Sequence, residues 1–331
     1  MRRVFSGVQP SGELHIGNWL GAVQNWVALQ DQYDCHYCIV DLHAVTFPYD
    51  STVLAERTRD MVMSLLACGI DPQRSVLFVQ SHVPEHTALQ WLLTTVAPLG
   101  ELERMTQFKD KSQRLESVPA GLFAYPVLQA ADILLYRAEA VPVGEDQLQH
   151  LELTREIARR WNSQFAADDP FLPEPQALLT TAKRIVGLDG QAKMSKSLGN
   201  TIGLTDPPEE IWAKLRPAVT DPARVTRRDP GTPELCNIFD LHKHFSPPET
   251  VELVAANCRS AGWGCLDCKR VLADRISETL TPIRERFMGL RESPAQVDEI
   301  IGDGADRAQD LAQGTLAEVK SRMGFLPRKG G

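Results

Sequence analysis

Pro10-Ser11-Gly12-Glu13-Leu14-His15-Ile16-Gly17-Asn18 follows, after Gln9, on the apolar run Val4 to Val8 and opens a stretch of helical spacing from about Gly17 to Gln30. A strand, a glycine-bearing turn and a helix in that order make one strand–helix unit. Its inner helical side is expected to carry Leu20, Val23 and Val27, with Trp26 beside them. Glycines let backbone approach a ligand closely, and a helix N-terminus presents unpaired N–H groups and a field that favours phosphate. His15 and Asn18 add side-chain donors one turn apart. A plain strand–helix connection with a polar cap would use the same residues, so the turn alone does not decide the chemistry.

Outward from this turn the alternation continues. Cys35 to Val40 and Val76 to Gln80 read as strands, and Val53 to Ala67, Glu85 to Val96 and Leu122 to Tyr136 as helices, the first ended by Cys68-Gly69. Such alternation implies an α/β, Rossmann-like doubly wound parallel sheet covered on both faces, with ligands beyond the carboxyl ends of its strands. After Gln164 the pattern changes: Asp168-Asp169-Pro170 through Pro175 is a polar, proline-broken connector. From about Asp206 the spacing is helical, punctuated at Pro207-Pro208, Pro217, Pro230, Pro247-Pro248 and Pro294. The expected division is a sheet domain over 1–203 and a smaller helical domain over 204–331, whose last helix can return to the first domain.

Composition narrows the class. The 331 residues are 43% hydrophobic and 24% charged, ordinary for a globular chain with a sizeable core. No apolar run nears the roughly 18 residues of a membrane helix, and Met1 to Gly7 lacks the apolar stretch of a secretion signal, so a cytoplasmic protein is expected. The net charge of −8 argues against a general DNA coat but leaves room for a local basic strip that meets RNA. Seven cysteines, an odd number, do not suggest a disulfide framework. Cys35 and Cys38, on opposite faces of a strand, read with Cys68 as core residues.

A second segment, Lys193-Met194-Ser195-Lys196-Ser197 with Leu198-Gly199-Asn200 behind it, places two lysines on a Gly- and Ser-rich loop. Such a loop can close over a triphosphate and neutralise charge building on a leaving pyrophosphate.

Together the two segments resemble the signature peptides of class I aminoacyl-tRNA synthetases, His-Ile-Gly-His and Lys-Met-Ser-Lys-Ser. The first reads His15-Ile16-Gly17-Asn18 here, a variant found in the tryptophan enzymes; the second matches fully. Gly7-Val8-Gln9-Pro10-Ser11-Gly12, Gly100 to Lys109, Ala130 to Tyr136 and Pro142-Val143-Gly144-Glu145-Asp146-Gln147 are likewise similar to bacterial tryptophanyl-tRNA synthetases, of the tryptophan/tyrosine subgroup.

The resemblance implies a tryptophan–tRNA ligase that joins L-tryptophan to ATP and then to tRNA(Trp), as a homodimer. On the helix near residue 130, Tyr125, Gln129 and Asp132 stand at i, i+4 and i+7 and so face one pocket. By resemblance Asp132 accepts the indole N–H, Tyr125 and Gln147 hold the ammonium, and Phe5, Gln9, His43, Val141 and Val143 complete the tryptophan site. A salt-bridged core aspartate and a satisfied core histidine are the plainer readings of Asp132 and His43. Gln129 departs from the family, where methionine is frequent, and its amide must find partners.

For ATP the resemblance implies catalytic roles for Lys193, Lys196, His15 and Asn18. Gln9, Pro10, Ser11 and Gly17 sit near the phosphates, with Met194, Ser195 and Ser197 in the lysine loop, Gly144, Glu145 and Asp146 at the ribose, and backbone near Ile185 at the adenine. Mg²⁺ travels with the nucleotide. Lys109, Lys111 and Arg114 are the expected tRNA contacts, unless that stretch is a solvated charged helix. Cys236, Cys258, Cys265 and Cys268 form C-x21-C-x6-C-x2-C. This is one residue shorter in the first gap than a pattern carrying a 4Fe-4S cluster in some members of the family. Zinc and free thiols are the alternatives. Rival readings are a tyrosine-specific ligase, a tryptophan- or ATP-sensing paralogue without ligation, and another nucleotidyltransferase. Gly144 to Gln147, the Met105 to Lys109 run, the intact lysines and the helical half weigh against them.

Overall fold

A computed structural model describes residues 1–113, 116–179 and 185–327, with backbone only at residue 111. They form two compact units, each built from separated segments. Met1–Gly12, Trp26–Thr181 and Ser293–Gly331 make the first; Glu13–Asn25 and Ala182–Glu292 make the second. Residue 203, where the sequence reading put its divide, lies inside the second unit.

The first unit is organised on five parallel strands: β1 (Arg3–Val8), β2 (Asp34–Ile39), β3 (Val76–Val79), β4 (Ala140–Val143) and β5 (Gln176–Leu179). Their order is β3-β2-β1-β4-β5, the doubly wound arrangement in which ligands settle where the strand order reverses. That reversal falls between β1 and β4. These strands pair at Val4 and Ala140 alone, so beyond that point they part and open a crevice at their carboxyl ends. All four residues of β3 are buried, as are Cys35 to Ile39 of β2. Buried strands of this kind show no polar alternation because helices cover both faces.

Helices α1 (Leu54–Cys68), α2 (Glu85–Thr94), α3 (Ala120–Leu135) and α4 (Leu148–Phe165) pack around the sheet. Gly69 ends α1 with φ of 109°, a left-handed turn that glycine adopts without strain. Nearly every residue of α3 from Leu122 to Leu135 is buried, which is why it is apolar almost all round. β4 and β5 lay outside the sequence reading: each has four residues, one holds Pro142, and the other follows the proline-broken connector.

In the second unit, α5 (Asn237–Phe245), α6 (Pro248–Arg259) and α7 (Cys265–Arg291) form a helical group. The double prolines initiate helices there: Pro208 and Pro248 stand at first helical positions, where a missing N–H costs nothing. The helical stretch from Ile16 to Leu29 contains a π-helical turn over Trp19–Val23. That extra residue shifts the inward register, so Val23, Trp26 and Leu29 are buried while Leu20 and Val27 are only partly so.

The chain then returns to the first unit as α8 (Pro294–Arg322), which lies against β3. Gly304 permits the approach, because a Cβ there would stand 1.8 Å from the Leu77 carbonyl oxygen. Arg307 fastens the contact by donating to the carbonyls of Pro72 and Ser75 at 2.6 and 3.2 Å. Among the described residues no helix is long and apolar enough to cross a membrane.

Candidate active site

The crevice between β1 and β4 holds a pocket of about 320 Å³. Phe5, Ser6 and Gly7 of β1, Val141, Pro142 and Val143 of β4, and Tyr125, Gln129 and Asp132 of α3 line it, with Gln9, His43, Gln147 and others. All nine residues expected around tryptophan therefore border one cavity. Tyr125, Gln129 and Asp132 were legible from the i, i+4, i+7 helical row, which points side chains to one place; the other six were named only through the resemblance. Tyr125 donates to Gln107 Oε1 at 3.3 Å and lies 2.8 Å from His150 Nε2. Burial pushes its hydroxyl up to about 12, so it stays protonated. The Gln129 amide reaches Gln147 Oε1 at 3.5 Å, and Gln147 donates to Asp146 at 2.8 Å.

Asp132, 1% exposed, is the charged floor of the pocket. His43 Nε2 stands 2.7 Å from its Oδ2; Gln80 Nε2 and His86 Nδ1 stand 2.7 and 2.6 Å from its Oδ1. Burial by itself would raise this carboxyl. The neighbouring His43 and His86 outweigh burial and hold it down to about 2. Gln80, His86 and His150 escaped the sequence reading. A buried polar residue outside any motif has no periodic signature, though the place of Gln80 just past the end of β3 was a usable signal.

The expected ATP residues are found in both units. In the first, Gln9 borders the pocket, Ser11 N–H donates to the Gln9 carbonyl at 2.8 Å, and Gly144 begins the turn Glu145–Gln147. Glu145 and Asp146 are exposed there. In the second, the two signature segments meet. Ile16 N–H donates to the Ile202 carbonyl at 2.9 Å, and a Cβ on Gly17 would stand 3.2 Å from Met194 Cβ. His15 and Asn18 cap each other: Asn18 N–H donates to His15 Nδ1 at 3.3 Å and His15 N–H to Asn18 Oδ1 at 3.2 Å. The proton of a neutral His15 is thus on Nε2. Burial, then Lys196 and Lys193, lower its pKa to about 4, so the ring is neutral at pH 7.

Met194 is 2% exposed and packs inward. Its N–H donates to the Ile185 carbonyl at 3.0 Å, which engages that backbone oxygen. Ser195 Oγ and Ser197 Oγ are 3.0 Å apart on the outer side of the loop. Asn200, 4% exposed, anchors the loop from inside. It accepts the Ser195 N–H at 2.7 Å and donates to Asp189 at 2.7 Å and to the Lys193 carbonyl at 3.4 Å.

Cys236, Cys258, Cys265 and Cys268 border one small cavity with Ile238, Val254 and Trp263. Burial and then the other three thiols push Cys268 up to about 12. Among the described residues no three His, Cys, Asp or Glu side chains converge tightly enough to hold a single metal ion. Lys109 is exposed on the helix Thr106–Ser112; the Lys111 side chain and Arg114 lie outside the described residues.

Known proteins are similar to this chain in sequence and in fold. The family described as tRNA synthetases class I (W and Y) matches residues 1–281. The chain is 55% identical to the tryptophan–tRNA ligase of Deinococcus radiodurans, over 98% of this chain and 99% of that protein. It is 44% identical to that of Thermotoga maritima, over 98% and 99%. The tryptophanyl-tRNA synthetase of Campylobacter jejuni, solved with ADP and tryptophan, superposes with a TM-score of 0.91 at 36% identity, covering 98% of this chain and 100% of that one. With a family match across most of its length and relatives this similar over nearly all of it, the chain belongs to the class I tRNA synthetases of the tryptophan and tyrosine group.

Proposed function

We propose that this chain activates L-tryptophan with ATP, giving tryptophanyl-adenylate and pyrophosphate, and then loads the tryptophanyl group onto tRNA(Trp). The observation that carries the reading is a buried, ionised Asp132 in a pocket that also has Phe5, Val141 and Val143 in its lining. A buried fixed acceptor beside apolar side chains suits a ring bearing an N–H, and leaving that acceptor unpaired penalises phenylalanine. Asp132 accepts the indole N–H. Phe5, His43, Gln129, Val141 and Val143 wall the ring, and Tyr125 and Gln147 hold the ammonium beside Gln9.

The carboxylate of tryptophan attacks the α-phosphorus in line, and the protein supplies position and charge more than covalent chemistry. Lys193 and Lys196, with Ser195 and Ser197, take the β- and γ-phosphates and the departing pyrophosphate. His15 through Nε2–H, Asn18, Gly17, Pro10 and Ser11 serve the phosphates. Gly144, Glu145 and Asp146 serve the ribose, and backbone at Ile185 and Met194 the base. Mg²⁺ enters with ATP. Lys109, with Lys111 and Arg114, meets the tRNA acceptor end, the helices between residues 204 and 292 meet the anticodon arm, and the enzyme works as a cytoplasmic homodimer. The four thiols that border one cavity would hold a 4Fe-4S cluster, with zinc as the alternative.

Anaerobically purified protein, assayed for ATP–pyrophosphate exchange across the standard amino acids, should respond to tryptophan alone. The same sample should contain iron and sulfide in equal amounts. Exchange with tyrosine would reject the tryptophan reading of the pocket, and exchange with nothing the ligase reading; zinc without iron would reject the cluster.

A further inference from the structure

The two oxygens of Asp132 keep different company. Oδ1 is shared by Gln80 Nε2 at 2.7 Å and His86 Nδ1 at 2.6 Å, and Oδ2 meets His43 Nε2 at 2.7 Å. His43 borders the pocket, whereas Gln80 and His86 are fully buried and form no part of its lining. A carboxylate oxygen has about two accepting directions, so two donors fill Oδ1 while Oδ2 keeps one open.

Both rear donors are themselves fixed. A carboxylate only accepts, so the His86 proton facing it is on Nδ1, and His86 Nε2 stands 2.7 Å from the Tyr136 hydroxyl. Tyr136 is wholly buried and stacked on Phe5 and His36, with ring centroids 5.7 and 5.2 Å distant. The Leu42 N–H donates to Gln80 Oε1 at 3.1 Å, which turns the amide NH₂ of Gln80 toward Asp132.

We propose that Gln80 and His86, the latter held by Tyr136, are positioning residues that set the amino-acid specificity of the pocket. They lock Oδ1 from behind, so that Oδ2 alone is presented to a ring N–H. The inference rests on reading this pocket as the tryptophan site. Without the rear donors the carboxylate can turn, and the vacated oxygen finds water. The site then no longer penalises a ring that lacks the N–H.

The test is pyrophosphate exchange with tryptophan and with its analogue in which sulfur replaces the indole N–H. In His86→Leu the ratio of kcat/KM for tryptophan over the analogue should fall about 10-fold, the worth of one hydrogen bond to a charged group. The fall should come through KM for tryptophan, with kcat and KM for ATP unchanged within about twofold. His86→Asn, whose amide donates from the place of Nδ1, should restore most of the ratio. Equal loss for both amino acids, or an unchanged ratio, overturns the proposal. If His86→Leu does not fold, Tyr136→Phe, which removes one oxygen, decides by the same ratio. Wild-type protein that exchanges with no amino acid removes the ligase reading and this inference together. Wild-type protein that uses both substrates equally removes the N–H role of Asp132, and the inference with it, but leaves a ligase.

Discussion

Asn200 shows how a residue with no expected role governs those that have one. Its side chain ties Ser195, Asp189 and Lys193 together at the base of the lysine loop. Gly187 makes room for it: a Cβ there would fall 2.0 Å from Asn200 Nδ2. Asn200→Ala removes these bonds and is expected to lower kcat for pyrophosphate exchange by about 10- to 100-fold, since loosely held charge stabilises a transition state poorly. KM for tryptophan should not change, because the ring pocket is lined by other residues. A matching rise in that KM would show that Asn200 acts on the whole fold instead.

Among the elements, α8 allows the sharpest contrast. Gly302 and Gly304 are two residues apart on one helix, yet a Cβ meets nothing within 4 Å at the first and the Leu77 carbonyl at the second. Gly302→Ala should stabilise by up to about 1 kcal/mol through helix propensity. Gly304→Ala should cost about 2 kcal/mol or more as the helix is forced off β3. Urea midpoints of the two variants, which should move in opposite directions, check both. This packing was not legible in the sequence, because the two glycines look alike until a neighbour is known. β1, β2, β3 and the helices between them were legible from hydrophobic spacing. β4 and β5 were not, since four residues with a proline in or before them carry too little pattern. The inward face of the helix after β1 was misplaced for a local reason, the π-helical turn at Trp19–Val23. In the pocket, the helical row Tyr125, Gln129 and Asp132 could be named from spacing, and His43 through the resemblance; Gln80 and His86, the other partners of Asp132, could not.

For the molecule as a whole, acid sensitivity follows from buried titratable groups. Burial lowers both His15 and His36 from 6.5 to about 4. Between those values the unfolded chain binds protons that the native state refuses, so stability rises with pH and is lost as pH falls from 6.5 toward 4. Asp132 adds a second, lower window: its pKa drops from 3.8 to about 2, so its contribution holds above 3.8 and disappears as pH falls toward 2. Unfolding free energies from urea titrations should therefore decline by several kcal/mol, in order of magnitude, between pH 6.5 and 4. A flat profile across that range would contradict the burial of the two histidines. The grip of α8 on β3 has a consequence in time. Arg307 and the Ser75 carbonyl it holds are 232 positions apart. At a translation speed of 5–20 residues per second, a newly made β3 waits about 10 to 50 s for its cover. Val76 to Val79 is an apolar strand at the sheet's edge, so during that interval the nascent chain offers a site for wrong pairing. Slowing synthesis of the last third of the message should increase the demand for chaperones, and a ribosome stalled before residue 304 leaves an enzyme whose sheet is made but not sealed.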